Sequence, residues 1–304
     1  MDNLSGEKWR EKMSLTKALR LKNNKKQEMA AKTVVFILLC FFGVLFSIPF
    51  YWMISTSLKT RLDVYILPPQ FIPNPIKISN YWEILDYIPL GRYFLNSIFV
   101  TSLSIFGYLL SSSLVAYGFA RINAPGRNML FLLVLATMMI PFEIIIVPWF
   151  VIFRSFGWIN TYLPLIVPTF TGHPFFIFLL RQFFLTIPKE LEDAMTIDGC
   201  GYLKTWMKLI LPLSKVPLLT VGIFSFMWTW NSFLWPLIVI NSKELWTVAI
   251  GVAFFATTTV SSGEIPLPHL QQAAAFLSLV PCFVIFFIAQ RLFVQGITLT
   301  GLKE

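Results

Sequence analysis

The most regular polar segment of the chain, residues 181–212, reads RQFFLTIPKELEDAMTIDGCGYLKTWMKLILP. It separates two long apolar windows and is too long for a turn between adjacent membrane helices. Pro188 suits the first turn of a helix, and the acidic residues after it suit the positive end of the helix dipole. Gly199 ends this helix, and a second amphipathic stretch runs to Pro212. The pattern predicts two short helices joined by a glycine turn, which form a docking element on a membrane surface.

The rest of the chain is dominated by apolar residues. Of its 304 residues, 56% are hydrophobic and only 13% are charged, and the mean hydropathy is +0.71. These values exclude an ordinary soluble protein. Charged residues, except one glutamate, avoid six windows that each exceed the roughly 20 residues a helix needs to cross a bilayer. The sequence therefore predicts an all-α membrane protein with six transmembrane helices, in the windows 33–58, 93–120, 128–153, 155–180, 216–242 and 265–290.

The distribution of basic residues predicts the orientation of these spans. An even number of spans puts both termini on one side, where 18 basic residues fall against 6 on the other side. The positive-inside rule places the 18 in the cytoplasm, so residues 59–92 and 243–264 face outward. This topology explains the net charge of +9 better than nucleic-acid binding does. Residues 1–32 are either a solvated anchor near anionic lipid or carry a short interfacial helix.

The spacing within residues 181–212 resembles a family motif. Asp193-Ala194-Met195 is followed after three residues by Gly199, and after nine more by Leu209-Ile210-Leu211-Pro212. This is similar to the EAA loop of ABC-type importer permeases, specifically the maltose-transporter-like permeases for carbohydrate uptake. Asp193 stands where that family usually has Glu, Met195 where it has a second Ala, and Leu209 where it has Ile.

Five further segments resemble the same family in the same order. The resemblance implies an ABC type-1 permease fold, with a six-helix transmembrane domain over residues 33–292 and cytoplasmic tails over 1–32 and 293–304. Within that domain it implies a permease core at about 92–292 and an EAA coupling loop at 185–212. The protein would be a multi-pass protein of the cell membrane. The five segments are residues 49–60, 92–97, 116–127, 228–237 and 290–303.

The resemblance also implies a function and a set of partners. The chain would be one permease subunit of an ATP-driven, binding-protein-dependent importer for a carbohydrate, and would form half of the translocation pathway. Its expected partners are a second homologous permease in a heterodimer, two ATP-binding subunits, an extracytoplasmic solute-binding protein and membrane lipid, but no nucleic acid. The sequence has no Gly-x-x-x-x-Gly-Lys-Ser/Thr phosphate loop, and its three cysteines lack the spacing of metal ligands. We therefore expect ATP and Mg²⁺ on the partner ATPase, with no catalytic residue, cofactor or metal site in this chain.

The residues expected to couple the permease to its ATPase lie in the loop. Asp193 could pair with a basic residue of the ATPase, or could only favour the first turn of its own helix. Gly199 could adopt a positive φ without steric cost and so let the two loop helices meet at a sharp angle, which an ordinary helix C-cap would also do. The full set of expected coupling residues is Glu190, Glu192, Asp193, Ala194, Asp198, Gly199 and Pro212.

Two further sites are expected outside the loop. Aromatic ring faces and a nearby amide suit sugar rings, although aromatic belts are also ordinary in membrane helices. The candidates for the substrate path are Trp228, Trp230, Asn231, Trp235 and Glu143. The candidates for contact with the binding protein, at the tip of the last outward loop, are Thr258, Ser261 and Gly263.

Glu143 also supports a competing interpretation. It is the only formally charged residue inside the six windows, and intramembrane carboxylates are often functional. The alternative function is therefore a proton-coupled secondary solute carrier that uses Glu143, although this leaves the EAA-like loop unexplained. A protonated or hydrogen-bonded structural glutamate is the simpler interpretation. His173, which precedes Pro174, is expected to satisfy backbone groups freed by the proline.

Overall fold

Regular structure in the described part of the protein is entirely helical. The structure is a computed structural model that describes the backbone of residues 3–261 and 267–300 and the side chains of Met29, 31–255 and 267–290. Four helical segments are each long and apolar enough to cross a membrane. Two further pairs of helices are bent between their members, and if each bent pair is counted as one span the total is six. The all-α prediction is confirmed. The other four spans are the helical segments Ala31–Ser57, Leu90–Arg121, Leu163–Phe184 and Pro268–Gln290.

The chain divides into two compact units, residues 1–55 and 56–304. The first unit is most of helix α1, Asn3–Ser57, which is 55 residues long. Helix α1 runs without a break through the predicted boundary at residue 32. The reason is compositional, because residues 3–32 contain no proline and are rich in Lys, Glu, Leu and Ala, which favour helix.

A predicted outward segment opens the second unit. After a 3₁₀ turn at Asp63–Tyr65, the chain forms helix α2, Asn80–Tyr87. The buried Asn80 side chain donates hydrogen bonds of 2.8 Å to the carbonyl oxygens of Ser57 and Lys59. These bonds tie the start of α2 to the residues that follow the first span.

The second and third spans differ in continuity. Helix α3, Leu90–Arg121, is continuous, as the window 93–120 predicts. The window 128–153 instead divides into α4, Arg127–Ala136, a 3₁₀ turn and α5, Phe142–Ser155, with a 99° bend. Pro141 lies at the break, and a residue before proline is disfavoured in helical conformation. The third predicted span is therefore a bent pair of helices and not one continuous helix.

The fourth span begins later than predicted and contains its own break. Helix α6, Leu163–Ile166, passes into a 3₁₀ segment at Val167–Thr171, and α7, Pro174–Phe184, completes the span. Gly172 between them has a φ of 85°, which interrupts the helix. The window 155–180 is thus a composite of short helices.

The predicted cytoplasmic segment forms two helices, as its pattern indicates. Helix α8, Lys189–Ile197, is followed by a second stretch that combines α9, Tyr202–Thr205, a π-helical turn and α10, Leu211–Leu213. This stretch meets α11, Lys215–Trp230, at an angle of 84°. The helix in the window 216–242 is shorter than predicted, because α11 ends at Trp230. The short helix α12, Leu234–Val239, follows it.

Of the last two helices, the first corrects one prediction, and the second extends past the last predicted span. Residues 243–264 were expected to form a loop, but Val248–Ser261 forms helix α13. The apolar run 248–256 is too short to span a membrane, yet it is long enough to bury Phe255 against Leu270 and Ala274. Helix α14, Pro268–Thr300, continues beyond the predicted domain boundary at residue 292.

Helix α3 lies at the centre of the second unit. Its buried small residues let other backbones approach closely, and a Cβ added at Gly107 would overlap the side chains of Thr169 and Phe170. Ser111 donates a 3.0 Å hydrogen bond to the carbonyl of Thr169. At its C-terminal end, Ala116 and Ala120 of α3 belong to a buried cluster with α7 and α11. Helix α3 therefore connects the fourth and fifth spans to the loop.

Candidate functional site

The coupling loop is held against the end of α3 by an ion pair. Arg121, the last residue of α3, pairs through Nε with Oε1 of Glu192 on α8, and the two side chains are only 5% and 14% exposed. The Nη2 group of Arg121 also donates a 2.6 Å hydrogen bond to the carbonyl of Ile187. Tyr117, one turn earlier on α3, donates a 3.4 Å hydrogen bond to Oε2 of Glu192. One arginine thus holds both the start of α8 and the chain leading into it.

Glu192, one of the expected coupling residues, uses its carboxylate inside this chain. The sequence places Glu192 in the first turn of α8 without indicating which face points inward. In the structure, Glu192 and Met195 are the two α8 residues that are partly buried, and they lie on one face because residues three apart are neighbours on a helix. The Glu192 carboxylate therefore points towards Arg121 within this chain and away from the exposed face of α8.

The opposite face of α8, which we name the docking face, consists of Glu190, Asp193, Ala194 and Ile197. All four residues are exposed, and Ile197 is 87% exposed. Neither Glu190 nor Asp193 forms an ion pair with a side chain that the structure describes. An acidic surface with an exposed aliphatic residue is suited to a basic partner that also has an apolar cleft.

Gly199 connects α8 to the second stretch of the loop. Its φ is 74°, so the expected positive φ is confirmed, and a Cβ added there would meet no atom within 4 Å. Asp198 is the C-cap residue, and the amide of Cys200 donates a 2.9 Å hydrogen bond to the carbonyl of Met195. Asp198 and Pro212, two other expected coupling residues, are both exposed. The turn is a glycine C-cap whose backbone only glycine adopts readily.

The second stretch of the loop is anchored by apolar burial. Trp206 and Ile210 are buried in the cluster that contains Phe184 and Ile187. Arg181, at the end of the fourth span, donates a 3.2 Å hydrogen bond to the carbonyl of Phe119, and its guanidinium lies 4.1 Å from the centroid of the Phe131 ring. Sequence reasoning did not single out Arg121 or Arg181 as site residues. Their positions at span ends that the sequence predicts to be cytoplasmic were the available signal.

Trp228 and Asn231 form the exposed part of the substrate-path candidates. Trp228 is 45% exposed, and its ring stacks on Phe176 with a centroid distance of 5.0 Å. The His173 ring lies 4.8 Å from it, at the break of the fourth span. Asn231 is exposed one turn beyond Trp228 and donates a 2.7 Å hydrogen bond to the carbonyl of Met227. An indole ring and an amide thus lie on one side of α11.

The other two tryptophans do not offer ring faces to a solute in this structure. Trp230 is 4% exposed, stacks on Phe226 and donates a 3.0 Å hydrogen bond to the carbonyl of Ser278. Trp235 is 7% exposed and donates a 3.1 Å hydrogen bond to the carbonyl of Pro164. Each indole N–H already has an acceptor within this chain.

His173 caps α7, as expected from its position before Pro174. Its Nδ1 atom accepts a 3.3 Å hydrogen bond from the amide of Phe175, and its own amide donates a 3.2 Å bond to Oγ of Ser112 on α3. The prediction that this histidine satisfies free backbone groups is confirmed. Since Nδ1 accepts a hydrogen bond, Nε2 carries the proton of the neutral ring and is a donor.

The remaining candidate residues lie on α5 and at the end of α13 or after it. Glu143 is exposed in the first turn of α5, beside the break at Pro141, where the helix dipole favours a carboxylate. Thr258 and Ser261 lie on the backbone of α13, with their side chains outside the described set, and Gly263 lies outside the described residues altogether. Within the residues described, no group of three or more His, Cys, Asp or Glu side chains could hold a metal ion.

Comparison with known proteins identifies the family of this loop-bearing helical chain. The family described as "Binding-protein-dependent transport system inner membrane component" matches residues 109–299. The chain belongs to this family. AraQ, an arabinooligosaccharides transport system permease protein of Halalkalibacterium halodurans, is 36% identical over 77% of this chain and 82% of the relative. SmoH, a sulfoquinovosyl glycerol transport system permease protein of Agrobacterium fabrum, is 32% identical over 84% of this chain and 88% of the relative.

A solved structure agrees with this membership at the level of the fold. A bacterial ABC transporter involved in the import of the acidic polysaccharide alginate matches with a TM-score of 0.75. The match covers 85% of this chain and 94% of that chain, at 20% sequence identity. The permease therefore has the ABC type-1 fold that the sequence resemblance implied.

Membership of the family decides the main functional alternatives. The protein is an inner-membrane permease subunit of a binding-protein-dependent ABC importer, and ATP hydrolysis belongs to a separate ATPase subunit. Such a permease works with a partner permease, an ATPase and a binding protein. The comparisons do not support the proton-coupled carrier that was based on Glu143.

Proposed function

We propose that this permease imports a carbohydrate, either an oligosaccharide or a related sugar or polyol derivative. The names of its relatives support this class, since they refer to arabinooligosaccharides, sulfoquinovosyl glycerol and diacetylchitobiose. A polyol derivative is included because another relative, UgpE of Yersinia pestis, is named for sn-glycerol-3-phosphate. These compounds share a carbon skeleton whose C–H groups pack on aromatic faces, and adjacent hydroxyl groups that form hydrogen bonds with amide groups.

The substrate class can be tested on the binding protein that is encoded or purified with the complex. Arabinooligosaccharides, sulfoquinovosyl glycerol and diacetylchitobiose would each be added in a thermal unfolding assay, with an amino-acid mixture as the control. A ligand at 100 times its dissociation constant stabilises the protein by about 2.7 kcal/mol, which gives a clear shift of the melting temperature. Stabilisation by the amino acids alone would contradict a carbohydrate substrate.

We infer that the docking face of α8 contacts the ATPase. The observation that carries this proposal is the division of α8 into two faces. One face is fixed to α3 through Glu192, whereas Glu190, Asp193, Ala194 and Ile197 are exposed together on the other. ATP and Mg²⁺ would bind to the ATPase, with two ATPase subunits serving a heterodimer of permeases. Asp198, Gly199 and Pro212 would shape the loop and not form the main contact.

Recovery of the ATPase with the purified permease tests this docking face. Ile197→Asp places a charge in the centre of the proposed interface, and Asp193→Lys reverses its electrostatic sign. We expect both variants to insert but to lose most of the co-purifying ATPase. Ile122→Asp is the control, because Ile122 is also an exposed aliphatic residue and lies outside α8. Full recovery of ATPase with both α8 variants would refute the proposed contact.

The substrate path is proposed to run beside the exposed face of α11. Trp228 would stack on a sugar ring, and Asn231 would accept a hydrogen bond through its side-chain oxygen, since its amino group is used by Met227. Trp230 and Trp235 would support this surface from below by packing. Glu143 would be a structural carboxylate near the path.

The outward contact with the binding protein is proposed for the end of α13 and the residues after it. Thr258, Ser261 and Gly263 belong to this region. Asn96 on α3 supports the approach to α13, because its side chain donates 2.9 Å hydrogen bonds to the carbonyls of Glu244 and Trp246. In the proposed topology, both termini and the coupling loop are cytoplasmic, and this region is extracytoplasmic.

A further inference from the structure

Arg121 and Glu192 connect α3 to α8 through an ion pair and further polar contacts, which are more than a loop needs in order to close. Both side chains are largely removed from solvent, and Arg121 makes two contacts in different directions, one to the Glu192 carboxylate and one to the carbonyl of Ile187. Tyr117 adds a third contact, to the other oxygen of Glu192. A lysine could replace the charge of Arg121, but its single ammonium group could not make both the ion pair with Glu192 and the separate hydrogen bond to Ile187.

The connection lies between two functional parts of the molecule. On one side, Glu192 is on the face of α8 opposite the docking face. On the other side, Arg121 ends α3, the helix that carries Ser112. The hydroxyl of Ser112 accepts a 3.2 Å hydrogen bond from the amide of His173, whose ring contacts Trp228. Packed helices and hydrogen bonds therefore run without interruption from the docking face to the proposed substrate path.

We propose that the Arg121–Glu192 pair makes α8 and the cytoplasmic end of α3 move as one rigid body during transport. Arg121 is then a positioning residue, which converts displacement of the docking face into displacement of α3. The role of Glu192 is to transmit movement within the permease, and not to bind the ATPase. This inference rests on the proposed contact between the docking face and the ATPase.

The buried charges explain why a directed ion pair suits this role better than apolar packing. Removal of one partner leaves the other charge buried without compensation, so separation of α8 from α3 is strongly resisted. Apolar surfaces slide over one another more easily, because the hydrophobic effect is not directional. The ion pair holds α8 close to α3, and the hydrogen bond from Nη2 of Arg121 to Ile187 holds the chain that leads into α8.

Distance measurement between two spin labels tests the rigid connection directly. The labels would be attached through Asn123→Cys, just beyond α3, and Thr196→Cys, on α8, in a chain whose three native cysteines are replaced by serine. Both positions are exposed. The whole importer, in lipid nanodiscs, would be measured without nucleotide and after trapping with ATP and vanadate. We expect one narrow distance distribution that is the same in both states.

The variant Glu192→Gln removes the charge and keeps the shape of the side chain. We expect a broader distribution that differs between the two nucleotide states. Glu190→Gln is the matched control, since it makes the same change on the docking face and should keep the narrow distribution. A distance that changes between the nucleotide states in the parent chain, or a Glu192→Gln variant as narrow as the parent, would overturn the proposal.

A second measurement separates the failure of this proposal from failure of the docking contact. Reactivity of Asn231→Cys towards a maleimide would be compared in the two nucleotide states, while the ATPase that co-purifies is quantified. In Glu192→Gln we expect full ATPase recovery and loss of the nucleotide-dependent difference in reactivity. Loss of the ATPase itself in Glu192→Gln would assign Glu192 to docking and overturn the proposal. If the proposed contact between the docking face and the ATPase is wrong, the Ile197→Asp variant will instead recover the full amount of ATPase.

Exchange of the two charges supplies a rescue test. Arg121→Glu and Glu192→Arg should each remove the nucleotide-dependent reactivity, and the double variant should regain part of it because an ion pair can form again. A double variant no better than either single variant would contradict a direct pairwise connection.

Discussion

Gly199→Val is the most direct test of the loop turn as a mechanical element. Gly199 has a φ of 74°, where a residue with a Cβ costs about 1–2 kcal/mol and a β-branched one costs more. A Cβ at this position meets no other atom within 4 Å, so the cost is backbone strain and not a collision. The strain expected for valine is about 2 kcal/mol, which lowers the population of the native turn roughly 30-fold. Gly199→Asn should be far milder, because asparagine tolerates this conformation.

Gly126 provides an internal control for this strain. It precedes α4 with a φ of 78°, and a Cβ added there also meets no atom within 4 Å. Gly126→Val therefore introduces a similar strain at a turn that is separate from α8. Both variants are expected to insert into the membrane, and only Gly199→Val should lose transport and substrate-stimulated ATP hydrolysis.

The assay would combine uptake, ATPase recovery and stimulated ATP hydrolysis in the reconstituted importer. A gradual loss in the order Asn, Ala, Val at position 199 would follow the cost of positive φ. Stimulation and uptake at the parent level in Gly199→Val would refute the reasoning, since the turn would then not need its glycine conformation for coupling.

Three further predictions concern topology, the substrate path and the outward contact. In intact cells, an impermeant thiol reagent should label Pro75→Cys and not Lys204→Cys in a chain without native cysteines, and the reverse pattern would contradict the proposed orientation. Trp228→Ala should raise the KM for uptake of the identified sugar about tenfold or more, and Trp228→Phe should retain most of the affinity, because a stacked ring contributes about 1–2 kcal/mol. Equal KM values for the two variants would argue against stacking. Deletion of residues 257–263 should impair uptake and leave ATPase recovery unchanged, whereas undiminished uptake would remove the role of this region.

The sequence predicted features that depend on composition and local spacing. The apolar windows identified every helical span, and the pattern of residues 181–212 identified two helices and the positive φ of Gly199. These features are local, because hydropathy and glycine conformation are determined within a few residues. The family motif could be recognised for the same reason.

The features that were missed depend on how helices meet. The bend at Pro141 divides a window that is apolar throughout except for Glu143, so hydropathy alone predicted one straight helix. Helix α13 was missed because its apolar run is shorter than a membrane span and is stabilised by packing on α14. The burial of Trp230 and Trp235 likewise results from acceptors on distant segments, Ser278 and Pro164, which the sequence does not connect to them.

Helix α8 shows most clearly where sequence reasoning ends. Its acidic residues were all expected to serve the ATPase, since each lies near the positive end of the dipole. Helical geometry separates Glu192 from Glu190 and Asp193 by face, but it does not say which face is internal. Arg121 decides this, because a buried guanidinium requires a carboxylate, and Glu192 is the one that its position allows. The same contact leaves Glu190 and Asp193 exposed and oriented together. Because Arg121 pairs with Glu192, one face of α8 is anchored to α3 and the opposite face is exposed.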